Sequence, residues 1–588
     1  MNTVTEPMYK WQELPWTKME RAVFKLQKRI YRAAQVGDKP TIHKLQRLLL
    51  KSWSARCLAV RRVTQENQGK KTAGIDGVKS LTPEQRLQLA QSLTLPTKAQ
   101  PTRRVWIPKP GKNEKRPLSI PTIKNRAEQT LAKLALEPEW EAQFEPNSYG
   151  FRPGRCTHDA IKAIFHAISH KAKYVLDADI AKCFDKISHS ALLAKLQTFP
   201  RLRRVIRAWL KAGVVDKGEL FPTTEGAPQG GTASPLLMNI ALHGLETAIV
   251  TKHPDAQVIR YADDLVTLHP DLTIIQQIQE ETTQWLETMG LELKPSKTRI
   301  THTLHQHEGP IGFDFLGFHI QQHRVGRTHS GKVGGRKPKL LGFKTIITPS
   351  KEACQRHQAT LRAIIRKHRS SSQTQLIAQL NLIIKGWTAY YAPVSAKRTF
   401  DKMSNLTFLK LKRWAIRRHP RKSRRWVMKK YWRLEQGSWT FAPVEGIPLY
   451  PHYHTPIKYH TKVQGRRSPY DGNWLYWTTC RGRQPGTPKR IARLLKQQMG
   501  KCTACGLYFK PEDTLQVDHI IPRSQGGRDE YTNWQLLHLQ CHQLKTAQEN
   551  KQRQQRGTID KSQITEEPCE EKSSSTVLKP SDGGDLVA

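Results

Sequence analysis

At 588 residues the chain is too long for a single hydrophobic core and must divide into several domains. Its 97 Lys and Arg stand against 49 Asp and Glu, a formal charge of +48. Solubility needs a net charge of only about 2 to 8, so a polyanionic partner, nucleic acid, is implied. No basic start leads into an apolar stretch, no run reaches the roughly 18 apolar residues of a membrane span, and the nine cysteines lack the dense even spacing of a disulfide scaffold. A reduced, cytosol-like compartment is expected.

In chain order, Val23, Leu26 and Ile30, then Leu45, Leu48 and Leu49, recur at helical spacing around a Gly-Asp-Lys-Pro break at 37–40, predicting two basic helices in an N-terminal extension over 1–100. From 101 to 345, β-rich bursts such as Arg104–Pro108 and Tyr174–Ile180 lie between helical stretches, an α+β core. Residues 322–344, rich in Gly, Lys and Arg, read as an exposed basic excursion rather than a packed element. Helical periodicity resumes in the next unit, 346–440. Between Lys410 and Arg433, 12 of 24 residues are Lys or Arg, none is acidic, and Trp414, Trp426, Tyr431 and Trp432 are interleaved. That pattern reads as a phosphate-binding surface with stacking platforms. A basic linker over 441–495, a compact Cys/His-rich module over 496–555 and an acidic tail over 556–588, expected to be disordered, complete the chain.

Within Val258–Val266, β-formers flank the adjacent Asp263 and Asp264, which places the pair at the turn of a hairpin. Some 80 residues earlier, Asp179 ends the apolar strand Val175-Leu-Asp-Ala-Asp179, where a carboxylate is costly unless solvated or holding a cation. Acids on two neighbouring strands can clamp the two Mg²⁺ ions that phosphoryl transfer from a nucleoside triphosphate requires. Other strings keep a fixed order around them: Ile107-Pro-Lys-Pro-Gly-Lys112 with Arg116-Pro-Leu-Ser-Ile-Pro121, Ser148-Tyr-Gly-Phe-Arg-Pro-Gly154, Gly226-Ala-Pro-Gln-Gly-Gly-Thr-Ala-Ser-Pro-Leu236, Tyr261-Ala-Asp-Asp264, Lys294-Pro-Ser-Lys-Thr298 and Phe313-Asp-Phe-Leu-Gly-Phe318. In that order they resemble the motifs of reverse transcriptases, the group II intron branch in particular. The resemblance implies a right-hand polymerase of fingers and palm over 101–345. Asp179, Asp263 and Asp264 would hold Mg²⁺, and Lys109, Arg116, Gln229 and Lys297 would bind the deoxynucleoside triphosphate. Phe184 would sit beneath the sugar and exclude a 2′-hydroxyl.

Ile384-Lys-Gly-Trp-Thr-Ala-Tyr-Tyr391 and Phe400-Asp-Lys-Met403 resemble the α-helical thumb of these proteins, domain X, which binds the intron's own RNA. Further on, Cys502-Thr-Ala-Cys505 and His538-Leu-Gln-Cys541 are two pairs of equal spacing, 32 residues apart, matching a tetrahedral structural Zn²⁺ site of three Cys and one His; His538 could instead be structural. Between them, Val517-Asp-His-Ile-Ile-Pro-Arg-Ser-Gln-Gly-Gly527 and Asn533, followed by His542 and Lys545, resemble an HNH nuclease of ββα-metal fold. On that likeness His519 is the general base, Asp518 and His542 hold one Mg²⁺ or Mn²⁺, and Asn533 orients His519 through its second ring nitrogen.

The expectation is therefore a multidomain α+β protein: polymerase fingers and palm, helical thumb, basic DNA-binding linker, and C-terminal zinc-bearing nuclease. It would bind group II intron RNA and assist its splicing, cut double-stranded target DNA, and copy the RNA from the new 3′-end. It would work in the cytoplasm as a nucleoid-associated ribonucleoprotein, or in an organelle, without membrane contact; a homodimer is left open. The rivals are a non-enzymatic splicing cofactor with silent sites, which predicts lost carboxylates or a broken His-Asn-His set, and a reverse transcriptase of another retroelement, which predicts neither domain X nor the nuclease.

Overall fold

The computed structural model describes residues 10–108, 114–333, 339–435, 437–511 and 513–557. Lys109 and nearly all of the 556–588 tail lie outside them, although 556 and 557 close the last helix, Leu539–Gly557. Three helices open the chain, not two: Trp16–Gln35, Lys39–Lys51 and Trp53–Arg61. Gly37 turns the chain at φ +72, and the Asp38 side chain accepts from the Thr41 amide at 3.1 Å to cap the second helix, with Pro40 in its first turn. At Ser52 the backbone becomes extended and divides what the apolar spacing had joined.

Met19, Val23, Ile30, Leu45 and Leu49 pack on Ala127, Leu131, Leu134 and Ala135 of the long helix Ile123–Gln143. That helix is buried on most of its surface because Ala132, Leu136 and Trp140 also enter the main core. Thr102–Pro108 and Lys115–Ile120 form an antiparallel hairpin, which Val214–Asp216 and Glu219–Phe221 extend to four strands.

The main core lies on a second four-stranded sheet, antiparallel throughout, in the order Gln257–Tyr261, Asp264–His269, Tyr174–Asp179, Arg299–His302. Val175, Leu176, Val258, Ile259, Leu265, Val266 and Leu268 are buried, so apolar residues serve both faces and the strands read as near-continuous apolar runs. The two ends of the stretch 322–344 belong to strands, Phe318–Arg324 pairing with Phe343–Pro349 over seven residues, and most of the described residues between them are exposed, as expected.

Helices Lys351–Lys367, Gln373–Tyr391, Lys397–Arg418 and Arg424–Tyr431 share a core of Leu361, Leu380, Ile384, Leu411 and Val427. The aromatic residues read as stacking platforms mostly belong to it: Trp414 and Tyr431 are 6% exposed and Trp432 2%, against 38% for Trp426. Their spacing meets the helical core before it meets solvent, while the cations between them, Arg421, Lys422, Arg424, Arg425, Lys429 and Lys430, are exposed.

The segment after 441 is docked rather than loose. His460 Nε2 lies 2.9 Å from Asp159 Oδ1, Arg155 donates to the Gly465 carbonyl at 2.9 Å, and the Tyr470 hydroxyl donates to Glu137 at 2.8 Å. Gly154, at φ +76, lets the Trp477 ring approach so closely that a Cβ would lie 2.5 Å from it. The C-terminal module has its own core of Ile491, Leu494, Phe509, Leu515, Leu536 and Leu537. The segment before it meets the first helix through the Phe24–Trp474 ring contact at 4.8 Å, and the module itself through Lys510 beside Glu20 at 3.7 Å. No helix among the described residues is long and apolar enough to cross a membrane.

Candidate functional sites

Strands Gln257–Tyr261 and Asp264–His269 join through a two-residue turn, Ala262-Asp263, with Tyr261 paired to Asp264. Ala262 takes φ +58, a left-handed conformation that a non-glycine residue holds only when its surroundings impose it. The Ser148–Gly154 string imposes it. The Tyr149 amide donates to the Arg260 carbonyl at 2.9 Å and the Arg260 amide to the Asn147 carbonyl at 3.0 Å. Gly150 lies flat on the turn, where a Cβ would come 2.3 Å from the Ala262 nitrogen. The buried Arg260 guanidinium donates to Ser148 Oγ at 2.7 Å and to the Ala262 carbonyl at 3.1 Å, a brace that no motif reading had singled out.

Asp179 is the register partner of Asp264, so the three predicted carboxylates meet at one end of the sheet. Burial, then the charges of Asp263 and Asp179, push the Asp264 carboxyl up to about 8. Burial and Asp179 likewise raise Asp263, against the opposing pull of Arg116 and Lys297. Such a cluster is short of positive charge, and Lys297 Nζ supplies part of it, 2.5 Å from Asp179 Oδ2. This donor set fits divalent cations.

The other strings close round the acids. The Ser119 amide donates to the Gln229 carbonyl at 2.6 Å, which ties the Gly226–Leu236 loop to the strand carrying Arg116, and the Gln229 amide group donates to Asp185 at 3.4 Å. The Ala227 amide donates to the Phe184 carbonyl at 2.6 Å, and the half-buried Phe184 ring stands edge-on to Phe151 at 6.2 Å.

At the C-terminal end, Leu515–His519 and Trp534–His538 form a hairpin followed by helix Leu539–Gly557. The ligand atoms of Cys502, Cys505, His538 and Cys541 lie within 4.8 Å of one another. His538 turns Nδ1 to Cys505 Sγ at 3.4 Å and Nε2 to Asp513 at 3.3 Å, the arrangement of a metal-binding imidazole held from behind by a carboxylate. Asp513 carries no sequence signal of its own. Contacts with the Cys505 and Cys541 sulfurs hold the Cys502 thiol far below its ordinary range.

On the opposite side of the hairpin, Asp518 faces His542 at 3.7 Å and Lys545 at 2.6 Å. Asn533 does not orient His519 as its place in the sequence suggests. Its side chain accepts from the Ile521 amide at 2.8 Å and donates to the Ile521 and Arg528 carbonyls at 3.0 and 2.9 Å. It closes the loop between the strands and makes no hydrogen bond to His519. His519 Nε2 instead has Asp529 Oδ1 at 3.0 Å and the Trp534 indole nitrogen at 3.3 Å.

A second group, Cys156, Asp159 and His460, is buried. There the carboxylate is already satisfied by the Cys156 amide, the Val463 amide and His460, at 2.8, 2.9 and 2.9 Å, so the group works as the latch of the docked segment.

Four stretches of the chain match known families. Residues 11–93 match the N-terminal domain of reverse transcriptase, 107–320 reverse transcriptase (RNA-dependent DNA polymerase), 354–432 the group II intron maturase-specific domain, and 502–548 HNH endonuclease. The chain is similar to Protein YkfC of Escherichia coli (strain K12), 29% identical over 401 residues that span 60% of this chain and 99% of that one. It is similar also to the group II intron-encoded protein LtrA of Lactococcus lactis subsp. cremoris, 26% identical over 426 residues, 58% of this chain and 69% of LtrA. Maturase-like protein 1 of Euglena gracilis is 28% identical over 326 residues, 53% of this chain and 65% of its own.

Proposed function

We propose that the chain is a group II intron-encoded protein, a reverse transcriptase and maturase with an HNH endonuclease domain, and that the sheet carrying Asp179, Asp263 and Asp264 is its polymerase palm. The four-stranded sheet of residues 102–221 then serves as fingers, and the helices of residues 351–431 as the thumb, domain X. The observation that carries this reading is the meeting of three carboxylates at one sheet end, opposed by Arg116 and Lys297. Two Mg²⁺ ions there would supply the charge that activates a primer 3′-hydroxyl and steadies the departing pyrophosphate.

The chain's own residues do the positioning. Asp179 and Asp264 are fixed by strand register, and Asp263 by the turn that Gly150 and Arg260 brace. Arg116, a planar fork, and Lys297, a point charge, face the place where a triphosphate would lie, and Lys109 joins them on resemblance. Phe184, backed by Phe151, resists displacement, so a 2′-hydroxyl would meet a ring that cannot yield and deoxynucleotides are preferred. Gln229 is anchored on the loop beneath the incoming nucleotide.

In splicing, the exposed cations of helix Arg424–Tyr431 and the turn before it neutralise intron RNA phosphates and hold the fold of the RNA without donating catalytic groups. In the nuclease, a structural Zn²⁺ suits Cys502, Cys505, Cys541 and His538, with Asp513 orienting the imidazole. Asp518 and His542 would hold Mg²⁺ or Mn²⁺ at the scissile phosphate, and His519 would take a proton from water. Together these parts support intron insertion into double-stranded DNA, cleavage of the opposite strand, and copying of the RNA from the new 3′-end, by a nucleoid-associated ribonucleoprotein.

The test is DNA synthesis by purified protein on an RNA template with a DNA primer, Mg²⁺ and deoxynucleotides, beside Asp263→Ala at matched salt, since binding is salt-dependent. Extension by the wild type that vanishes in the variant is expected. No extension by either protein, with RNA binding intact, would overturn the palm assignment in favour of a splicing cofactor.

A further inference from the structure

We propose that Asp529 is a positioning residue of the nuclease, fixing the tautomer of His519 so that Nδ1 is its basic atom. This rests on the HNH reading above and deepens it, assigning to Asp529 the task that the sequence had suggested for Asn533.

Three donors converge on the Asp529 carboxylate. His519 Nε2 lies 3.0 Å from Oδ1, the Trp534 indole N–H donates to the same oxygen at 2.9 Å, and Arg523 Nη2 lies 2.5 Å from Oδ2. An ionised carboxylate only accepts, so a hydrogen bond from the ring requires the proton on Nε2. The indole nitrogen also lies near Nε2, at 3.3 Å, but it has nothing to offer except its own proton, and the shorter path for that proton is to Oδ1. Two N–H groups side by side on one oxygen is the arrangement that satisfies all three side chains, and it leaves the Nδ1 lone pair free for proton transfer. Hydrogen bonding from His519 first, with Trp534 and Arg523 adding to it, holds the Asp529 carboxyl below its ordinary value and therefore charged at neutral pH.

The loop is built to deliver this carboxylate. Asn533 ties Ile521 to Arg528, the residue before Asp529, and Gly527 passes so close to the Ile521 carbonyl that a Cβ would lie 1.9 Å from it. Asn533 shapes the loop and Asp529 touches the ring. When His519 acts, a water O–H bond breaks and its proton goes to Nδ1. The water oxygen forms the bond to phosphorus, and the ester oxygen leaves and takes a proton from solvent. The ring carries a positive charge at that moment, and Asp529 stands beside it with the opposite one.

The experiment is single-turnover nicking of supercoiled plasmid DNA by the full chain with Mg²⁺, comparing wild type, Asp529→Ala, Asp529→Asn and the background variant His519→Ala. Asp529→Ala is expected to slow nicking at saturating DNA by roughly 10- to 100-fold, within the range a general base contributes, with half-saturating DNA concentration and melting temperature unchanged. Asp529→Asn still accepts from Nε2 and should recover at least about a third of the lost rate on a logarithmic scale, its missing charge accounting for the rest. Nicking by Asp529→Ala at the wild-type rate overturns the proposal. So does a loss shared equally by both variants with a lower melting temperature or weaker DNA binding, which would make Asp529 a mere loop support. A wild type no faster than His519→Ala refutes the nuclease assignment itself, and the proposal with it.

Discussion

Replacing Gly150 by Ala adds one methyl group, and the structure says where its effect falls. The new Cβ would lie 2.3 Å from the Ala262 nitrogen and 2.9 Å from its Cα, against the 3.4 Å at which ordinary contact begins. Both partners are backbone, so no side-chain rotation relieves the overlap. The turn must retreat by about 1 Å, and it cannot do so locally, because Ala262 already holds a left-handed φ of +58 and is braced by Arg260. Asp263, the next residue, moves with it. A misplacement of about 1 Å at a reacting centre costs on the order of 100-fold in rate, while the overpacking costs only about 1–3 kcal/mol of stability. Primer extension at saturating deoxynucleotide should therefore fall by about 100-fold, with the protein folded, RNA binding kept and plasmid nicking unchanged. Extension within about threefold of wild type would refute the claim that Gly150 sets the position of the acids.

Other perturbations address other parts. Glu128 is fully buried, its carboxylate oxygens have no hydrogen-bond partner among the described residues, and burial raises it from 4.5 to about 7. The folded state then binds more protons than the unfolded one between these values, so the stability associated with the neutral acid is lost as pH rises through that window. Glu128→Gln should melt like wild type near pH 4 and above it at pH 8, by at most about 3 kcal/mol; a constant difference across pH would exclude this origin. Cys505→Ala should lower the metal content of the purified protein and abolish nicking while primer extension survives, and elemental analysis showing the same metal content as wild type would disprove the proposed ligand set. His460→Ala removes one of the three partners of the buried Asp159 carboxylate, at about 1–3 kcal/mol, and should expose 441–472 to limited proteolysis; an unchanged digestion pattern would count against the latch.

The polymerase elements were the most readable part of the sequence, because their chemistry is local: adjacent acids between β-formers make a hairpin turn wherever they occur. An apolar strand ending in an acid has few places to go, so Asp179 could be matched to the acid pair, as partner of Asp263; the strand register sets it opposite Asp264 instead. What escaped was carried by contacts distant in sequence. Arg260 sits inside a string that was read for its acids, and its partners Ser148 and Asn239 lie far from it in the chain. Asp513 and Asp529 belong to loops without periodicity, so their approach to His538 and His519 follows from the loop path alone. Trp414, Tyr431 and Trp432 were misread because a basic helix with aromatics on one side has the same composition whether that side faces RNA or a core. The Ser52 break carried neither Gly nor Pro and so left no mark for a pattern reading to find.

The contact between the first helix and the segment leading into the nuclease module joins in space two stretches that synthesis separates in time. Trp474 leaves the ribosome 450 positions after Phe24. At about 5–20 residues per second the ring of Phe24 waits about 20 to 90 seconds for its partner. Through that interval the polymerase and its helical module can fold on their own cores, and the DNA-cutting part does not yet exist. Synthesis alone thus gives the protein an order of business: the surface for RNA is complete before the blade is attached.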